Sequence, residues 1–181
     1  MQTYIALLRG INVSGQKKIK MATLREQLAA IGLKEVKTYI QSGNILFRDA
    51  DKSNQHWEQL IHDMLLKEYG FEVPVMVRRP EDFSWAIEHN PFFPEKDPKR
   101  LYITFLDAVP EPEKVAALQA VDYQPEEYTI EGQVVFFFSP SGYGRAKMNN
   151  NFFEKKLKVA ATTRNWRSVN ILRDMASEYD T

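Results

Sequence analysis

The sequence predicts an α+β protein built from two βαββαβ units, and three observations lead there. Short apolar runs of strand length alternate with stretches whose apolar residues recur every three or four positions. Two pairs of such runs are separated only by turn-forming residues. The resulting order of elements then occurs twice.

The first unit opens with a strand over residues 3–8, where apolar side chains run without the spacing of a helix. Met21, Leu24, Leu28 and Ile31 follow at spacings of three, four and three, and Gly32 supplies a stop. Two β-branched and aromatic runs, 36–41 and 45–48, flank Ser42, Gly43 and Asn44, residue types that accept the backbone angles of a tight turn. Trp57, Leu60, Ile61, Met64 and Leu65 trace a second helical face, with Ser53 placed to cap it and Gly70 to end it. A strand over 73–77 completes the unit.

The second unit has a strand at 101–106, a helix at 113–120 and a hairpin of 128–130 with 134–138 turning at Glu131 and Gly132. A helix at 150–157 and a short strand near 159–161 follow. Trp166, Val169, Leu172 and Met175 lay one apolar stripe on a C-terminal helix that begins near Thr163. Residues 80–88 read as a linking helix with Pro80 in its first turn, and the prolines of NPFFPEKDP punctuate the connection. The expected organisation is a subdomain over 1–79, a linker over 80–99, and a second subdomain with the C-terminal helix over 100–181. The βαββαβ order is the ferredoxin-like pattern. The apolar character of both halves predicts two such subdomains packed into one compact body.

Hydrophobic residues make up 44 % of the 181, enough for a packed core. No apolar run approaches the roughly 20 residues that span a bilayer, so a soluble, cytoplasmic protein without a membrane partner is expected. With no cysteine, disulfides and thiolate chemistry are excluded. The histidines, His56, His62 and His89, lack the spacing of a metal site, so neither a metal nor a cofactor is expected.

The formal net charge of zero argues against a protein that grips nucleic acid over its whole surface. It conceals a strong asymmetry. Residues 1–50 carry 8 basic and 3 acidic groups (+5), residues 51–100 carry 7 and 10 (−3), residues 101–140 carry 1 and 7 (−6), and residues 141–181 carry 8 and 4 (+4). The two basic ends are expected to converge on one anion-attracting face.

Three segments carry that expectation. RGINVSGQKKIK, residues 9–20, has the glycine spacing of a phosphate loop but lacks the Lys-Ser/Thr pair after the second glycine, which removes the magnesium ligand. An exposed glycine backbone with Lys17, Lys18 and Lys20 remains as an anion-holding loop. In SGYGRAKMNNN, Arg145 and Lys147 precede a helix start, where peptide dipoles favour anions, although its asparagines also suit simple capping. In ATTRNWR, Thr162 or Thr163 is placed to cap the last helix, with Arg164 and Arg167 projecting from its first turns against the helix dipole. No acid-base pair is evident. Glu81 with Asp82, and Glu126 with Glu127, are adjacent in sequence and their side chains diverge.

RGINVSG, the MATLREQL helix, TYIQSGNILF and ATTRNW together resemble the bacterial family known as domain of unknown function 1697, over nearly the whole chain. Members look like RGINVGG, so Ser14 stands where the family has glycine. The resemblance implies two ferredoxin-like subdomains and brings no activity. It marks Arg9, Gly10, Asn12, Gly15, Gln41, Ser42, Gly43, Asn44, Thr163, Arg164 and Asn165 as motif positions.

The expected ligand-binding set is therefore Arg9, Asn12, Gly15, Lys18, Lys20, Gln41, Ser42, Asn44, Arg145, Lys147, Thr163, Arg164 and Asn165. Three classes of function stay open. The first is a binding module for a phosphorylated small molecule or nucleic acid. The second is a protein interaction module using the acidic middle, and the third an enzyme acting on an anionic substrate.

Overall fold

The computed structural model describes residues 1–180. It is an α+β protein with two four-stranded antiparallel sheets and, among the described residues, six α-helices. In chain order these are β1 (Gln2–Leu8), α1 (Met21–Ala30), β2 (Lys34–Tyr39), β3 (Asn44–Asp49), α2 (Asn54–Tyr69), β4 (Val75–Arg78) and α3 (Pro80–Glu88). There follow β5 (Leu101–Leu106), α4 (Pro112–Gln119), β6 (Glu127–Glu131), β7 (Val134–Phe138), α5 (Asn150–Leu157), β8 (Ala161–Asn165) and α6 (Trp166–Ser177). No helix among the described residues is long and apolar enough to cross a membrane.

Chain contacts divide the molecule into two compact units, one of Met1–Ser84 with the segment from Ile171 onward, the other of Trp85–Asn170. The division runs through α3 and α6, whereas the sequence reading set a linker over 80–99 and kept the whole last helix with the second half.

In the first unit the strands lie in the order β2-β3-β1-β4, every neighbour antiparallel. Alternate residues of β1 and β3, namely Tyr4, Ala6, Leu8, Ile45 and Phe47, form one core with Leu24 and Leu28 of α1 and Trp57, Ile61 and Leu65 of α2. Tyr4 stacks on Phe47 at 5.1 Å between centroids, and Trp57 meets both rings edge-on. The opposite set, Ile5, Leu7 and Leu46, is also fully buried. Burial on both faces explains why these strands read as unbroken apolar runs rather than alternating ones.

The second unit repeats the plan in the order β6-β7-β5-β8. Tyr102, Leu106, Val135 and Phe137 pack with Leu118 of α4 and Phe153 and Leu157 of α5. Strand order and pairing are consistent with two ferredoxin-like-type subdomains. The registers also expose a correspondence hidden in the bare sequence. Ile5 faces Leu46 and Arg78 across its two neighbours, and Ile103 faces Phe136 and Arg164 in the same way. YIALL in β1 thus answers YITFL in β5, and each fourth strand leads almost directly into a helix, α3 or α6.

Two expectations are corrected. The last strand is Ala161–Asn165 and not 159–161, and α6 begins at Trp166 and not near Thr163. Thr162 and Thr163 are β-branched and pair with Phe105 and Thr104 of β5, an arrangement that suits them better than a helix start.

Candidate functional site

Residues 9–20 join β1 to α1, and they form a shaped loop held at several points. Val13 and Gln16 make an isolated antiparallel bridge, the Gln16 amide donates to the Val13 carbonyl at 3.0 Å, and the Asn12 amide donates to the Lys17 carbonyl at 3.1 Å. Ser14 and Gly15 between them have φ of 51° and 74°, the paired left-handed angles of a type I′ turn. A glycine in place of Ser14 would meet that requirement without strain. Gly10, Asn12 and Lys17 are left-handed too, so five of the eight residues from 10 to 17 bend the chain.

Asn12 holds the loop closed. Its Nδ2 donates to the Ile19 carbonyl at 2.9 Å and to the Gln41 carbonyl at 2.8 Å, while its Oδ1 accepts from the Ile19 amide at 2.9 Å. Both amide hydrogens are committed. The polar atoms of Asn12 bind the loop to itself and to the turn after β2.

That turn, residues 40–43, lies against the loop by construction. Leu7 is paired with Asn44, and the Leu8 amide donates to the Gly43 carbonyl at 2.8 Å. A Cβ on Gly43 would stand 2.6 Å from Leu8 Cβ and 2.9 Å from Ile11 Cδ1, so only glycine fits. Asn44 is fully buried and its Nδ2 donates to the Tyr39 carbonyl and to Ser42 Oγ. It shapes the turn from inside, while Gln41 and Ser42 are exposed.

The loop also rests on residues 71–74, which connect α2 to β4. The amide of Arg9, itself half-buried, donates to the Pro74 carbonyl at 3.1 Å; Lys17 Nζ donates to the Glu72 carbonyl and stands 5.8 Å above the Phe71 ring. Glu72 is in turn tied to α2, because His62 lies between Glu72 Oε2 at 2.5 Å and Asp63 Oδ1 at 3.2 Å. The hydrogen bond to Glu72, then that to Asp63, raises the His62 pKa above its ordinary value. Of the basic loop residues, Lys18 and Lys20 are exposed.

The first unit therefore brings Asn12, Gln41, Ser42 and Asn44 together on one end of its sheet, beside the loop that carries Arg9, Gly15, Lys18 and Lys20. In the second unit the expected residues have more structural duties. Thr163 Oγ1 bonds Thr104 Oγ1 at 2.7 Å and donates to Asn150 Oδ1 at 2.6 Å, joining β5, β8 and α5. Arg164 does not project from a helix. It is a strand residue, 8 % exposed, whose Nη1 donates to Thr162 Oγ1 at 3.1 Å and to the Thr163 carbonyl at 2.9 Å, and burial pushes its pKa down to about 10. The cap of α6 is Asn165, whose Oδ1 accepts from the Ser168 amide at 2.8 Å, and not a threonine. Asn149 caps α5 in the same manner. Arg145 and Lys147 are exposed.

The amides ahead of α5 already have an anion. Glu126, nearly buried, accepts from the Lys147 amide at 2.8 Å and the Met148 amide at 3.1 Å through its two carboxylate oxygens. Its neighbour Glu127 pairs with Lys96 at 2.7 Å. Sequence adjacency predicts divergent side chains for the two. It gave no sign that a carboxylate 21 residues upstream occupies the Lys147 amide, nor that His62 braces the base of the 9–20 loop.

Residues 1–136 match the family described as "Protein of unknown function (DUF1697)". No curated protein matches the chain. Among solved structures, the conserved bacterial protein SP0830 from Streptococcus pneumoniae is similar, with a TM-score of 0.76 and 27 % identity over 98 % of this chain and 99 % of that one.

Proposed function

Since the chain belongs to this family of unknown function, we propose that it is a binding module for an anionic ligand, with residues 9–20 and 40–43 as its ligand-facing element. The observation that carries the reading is the shaped, multiply bonded backbone of an exposed basic loop. Five left-handed backbone positions and the three side-chain hydrogen bonds of Asn12 hold a segment whose outer residues bury little. Bending costs of this kind persist where the surroundings over-determine the conformation, and they cluster at ligand sites.

Charge supports the same reading. Residues 1–25 contain Arg9, Lys17, Lys18, Lys20 and Arg25 and no acidic residue. The loop and turn offer cations, exposed backbone amides, the Gln41 amide and the Ser42 hydroxyl. With no carboxylate or imidazole in either segment, they bind an anion more readily than they move a proton. A phosphorylated small molecule and a nucleic acid share the phosphate chemistry this element would recognise.

Calorimetric titration with a mononucleotide, a sugar phosphate and short RNA, each at low and high salt, tests the proposal. Binding that weakens with salt, and that falls at least tenfold in a Lys18→Gln, Lys20→Gln double variant of unchanged stability, is expected. A double variant that binds as the parent does, or the absence of binding to all three probes, overturns it. The two kinds of source are separated by which probe binds.

A further inference from the structure

The second unit holds a cavity of about 340 Å³ between the end of α4, the 120–126 connection and β6. Its character is opposite to that of the basic loop. Phe92, Tyr123 and Tyr128 give it aromatic walls, Asp122, Glu126 and Glu127 line it with carboxylates, and no Lys, Arg or His is among its described lining residues. The volume is at the lower end of the range of small-molecule pockets, roughly 300 to 1,000 Å³.

The carboxylates are fixed in place. Glu126 is held by two backbone amides, Asp122 Oδ1 accepts from the Gln124 amide at 2.9 Å, and Glu127 is anchored on β6. The aromatic rings are braced as well. Tyr123 packs edge-on against Phe152 at 5.2 Å and against Tyr128 at 6.4 Å, and Tyr128 meets Phe153 at 6.4 Å. The protein already places an ammonium at this rim: Lys96 Nζ sits 2.7 Å from Glu127 Oε2 and 4.9 Å from the centroid of Phe138, a carboxylate on one side and a ring on the other. Ring faces and carboxylates in a partly enclosed space are the surroundings that stabilise organic cations.

We propose that this cavity binds a small organic cation, an alkylammonium or alkylguanidinium, with Asp122 receiving its N–H groups, Glu127 sharing them in competition with Lys96, and the Tyr123 and Tyr128 rings covering its carbon chain. The site lies in the other unit from the proposed anion-binding element and does not depend on it. Glu126, already bonded to the chain, positions the wall and is not required to contact the ligand.

The test is a titration of the full-length protein with putrescine, with agmatine, with the uncharged isostere 1,4-butanediol and with an arginine-containing tripeptide, followed by backbone amide shifts. Shifts confined to residues 119–129 and nearby, from putrescine or agmatine and not from butanediol, are expected. Asp122→Asn and Glu127→Gln should each weaken that response at least fivefold. Asp122 is exposed and Glu127 is half-buried on the edge strand β6, and both replacements keep the side chain's size, so neither change threatens folding. An equal response to butanediol, no response to either free amine, or undiminished binding by both variants would overturn the proposal. A response to the tripeptide alone would also overturn it, assigning the cavity to a protein partner.

Discussion

The side chain of Asn12 donates to the Gln41 carbonyl at 2.8 Å, so a residue of the β1–α1 loop is bonded directly to the turn that joins β2 to β3. With its two further bonds to Ile19, this makes one side chain the junction of the proposed site. Asn12→Ala should lower unfolding free energy by about 2 to 3 kcal/mol, three net hydrogen bonds at roughly 1 kcal/mol each. Denaturant unfolding measures that loss. Amide exchange should quicken most over residues 9–20 and 40–43, and unchanged exchange there would show that other contacts hold the loop.

Two of the glycines at this end, Gly43 and Gly15, differ in what they tolerate. At Gly43, φ is 82° and a Cβ would clash with Leu8, whereas at Gly15, φ is 74° and nothing lies within 4 Å. Gly15→Ala should cost about 1 to 2 kcal/mol, the left-handed penalty alone, and Gly43→Ala about 3 kcal/mol or more, because overpacking adds to it. Equal losses in the two variants would contradict the packing described.

Arg164 and Lys18 were alike as expected ligand residues and should separate in experiment. Arg164→Ala removes a buried guanidinium from its bonds to Thr162 and Thr163 and should cost about 2 to 4 kcal/mol, whereas Lys18→Gln should stay within about 0.5 kcal/mol. Thermal melts of both variants decide it. An Arg164→Ala protein as stable as the parent would mean that its buried hydrogen bonds contribute nothing.

His62 supplies a pH dependence. Its folded pKa lies above the unfolded value, so the contribution is fully present below the unfolded pKa, near 6.5, and is lost as pH rises through the folded pKa. The stability difference between the parent and His62→Gln should therefore be largest at acid pH and shrink as pH rises past the unfolded value. A difference that grows with pH would reverse the assignment. The bridge is solvent-accessible, with Glu72 71 % exposed, so the effect should also diminish with salt.

Much of this was legible where a residue type has one dominant use. Ser53 before the Trp57–Leu65 stripe announces α2, and its hydroxyl does accept the His56 amide. The juxtaposition of loop and turn follows from β1 pairing with β3. What escaped is conformational and long-range. Nothing in the letters of Ser14, Lys17 or Ile40 signals their left-handed angles, which are imposed by the loop and the turn as wholes. Arg164 looked solvent-facing because arginine usually is, and only the pairing of β8 with β5 carries it inside. Nor do the letters of Asn12 and Asn44 show that the backbone turns around them take up their side-chain amides.

The most direct test of the proposed site is amide-shift mapping by NMR as a mononucleotide is added to the full-length protein at low salt. The account predicts saturable shifts concentrated on residues 9–20 and 40–43, reversed by added salt. Shifts elsewhere with those two segments silent, or no shifts at millimolar ligand, would contradict it.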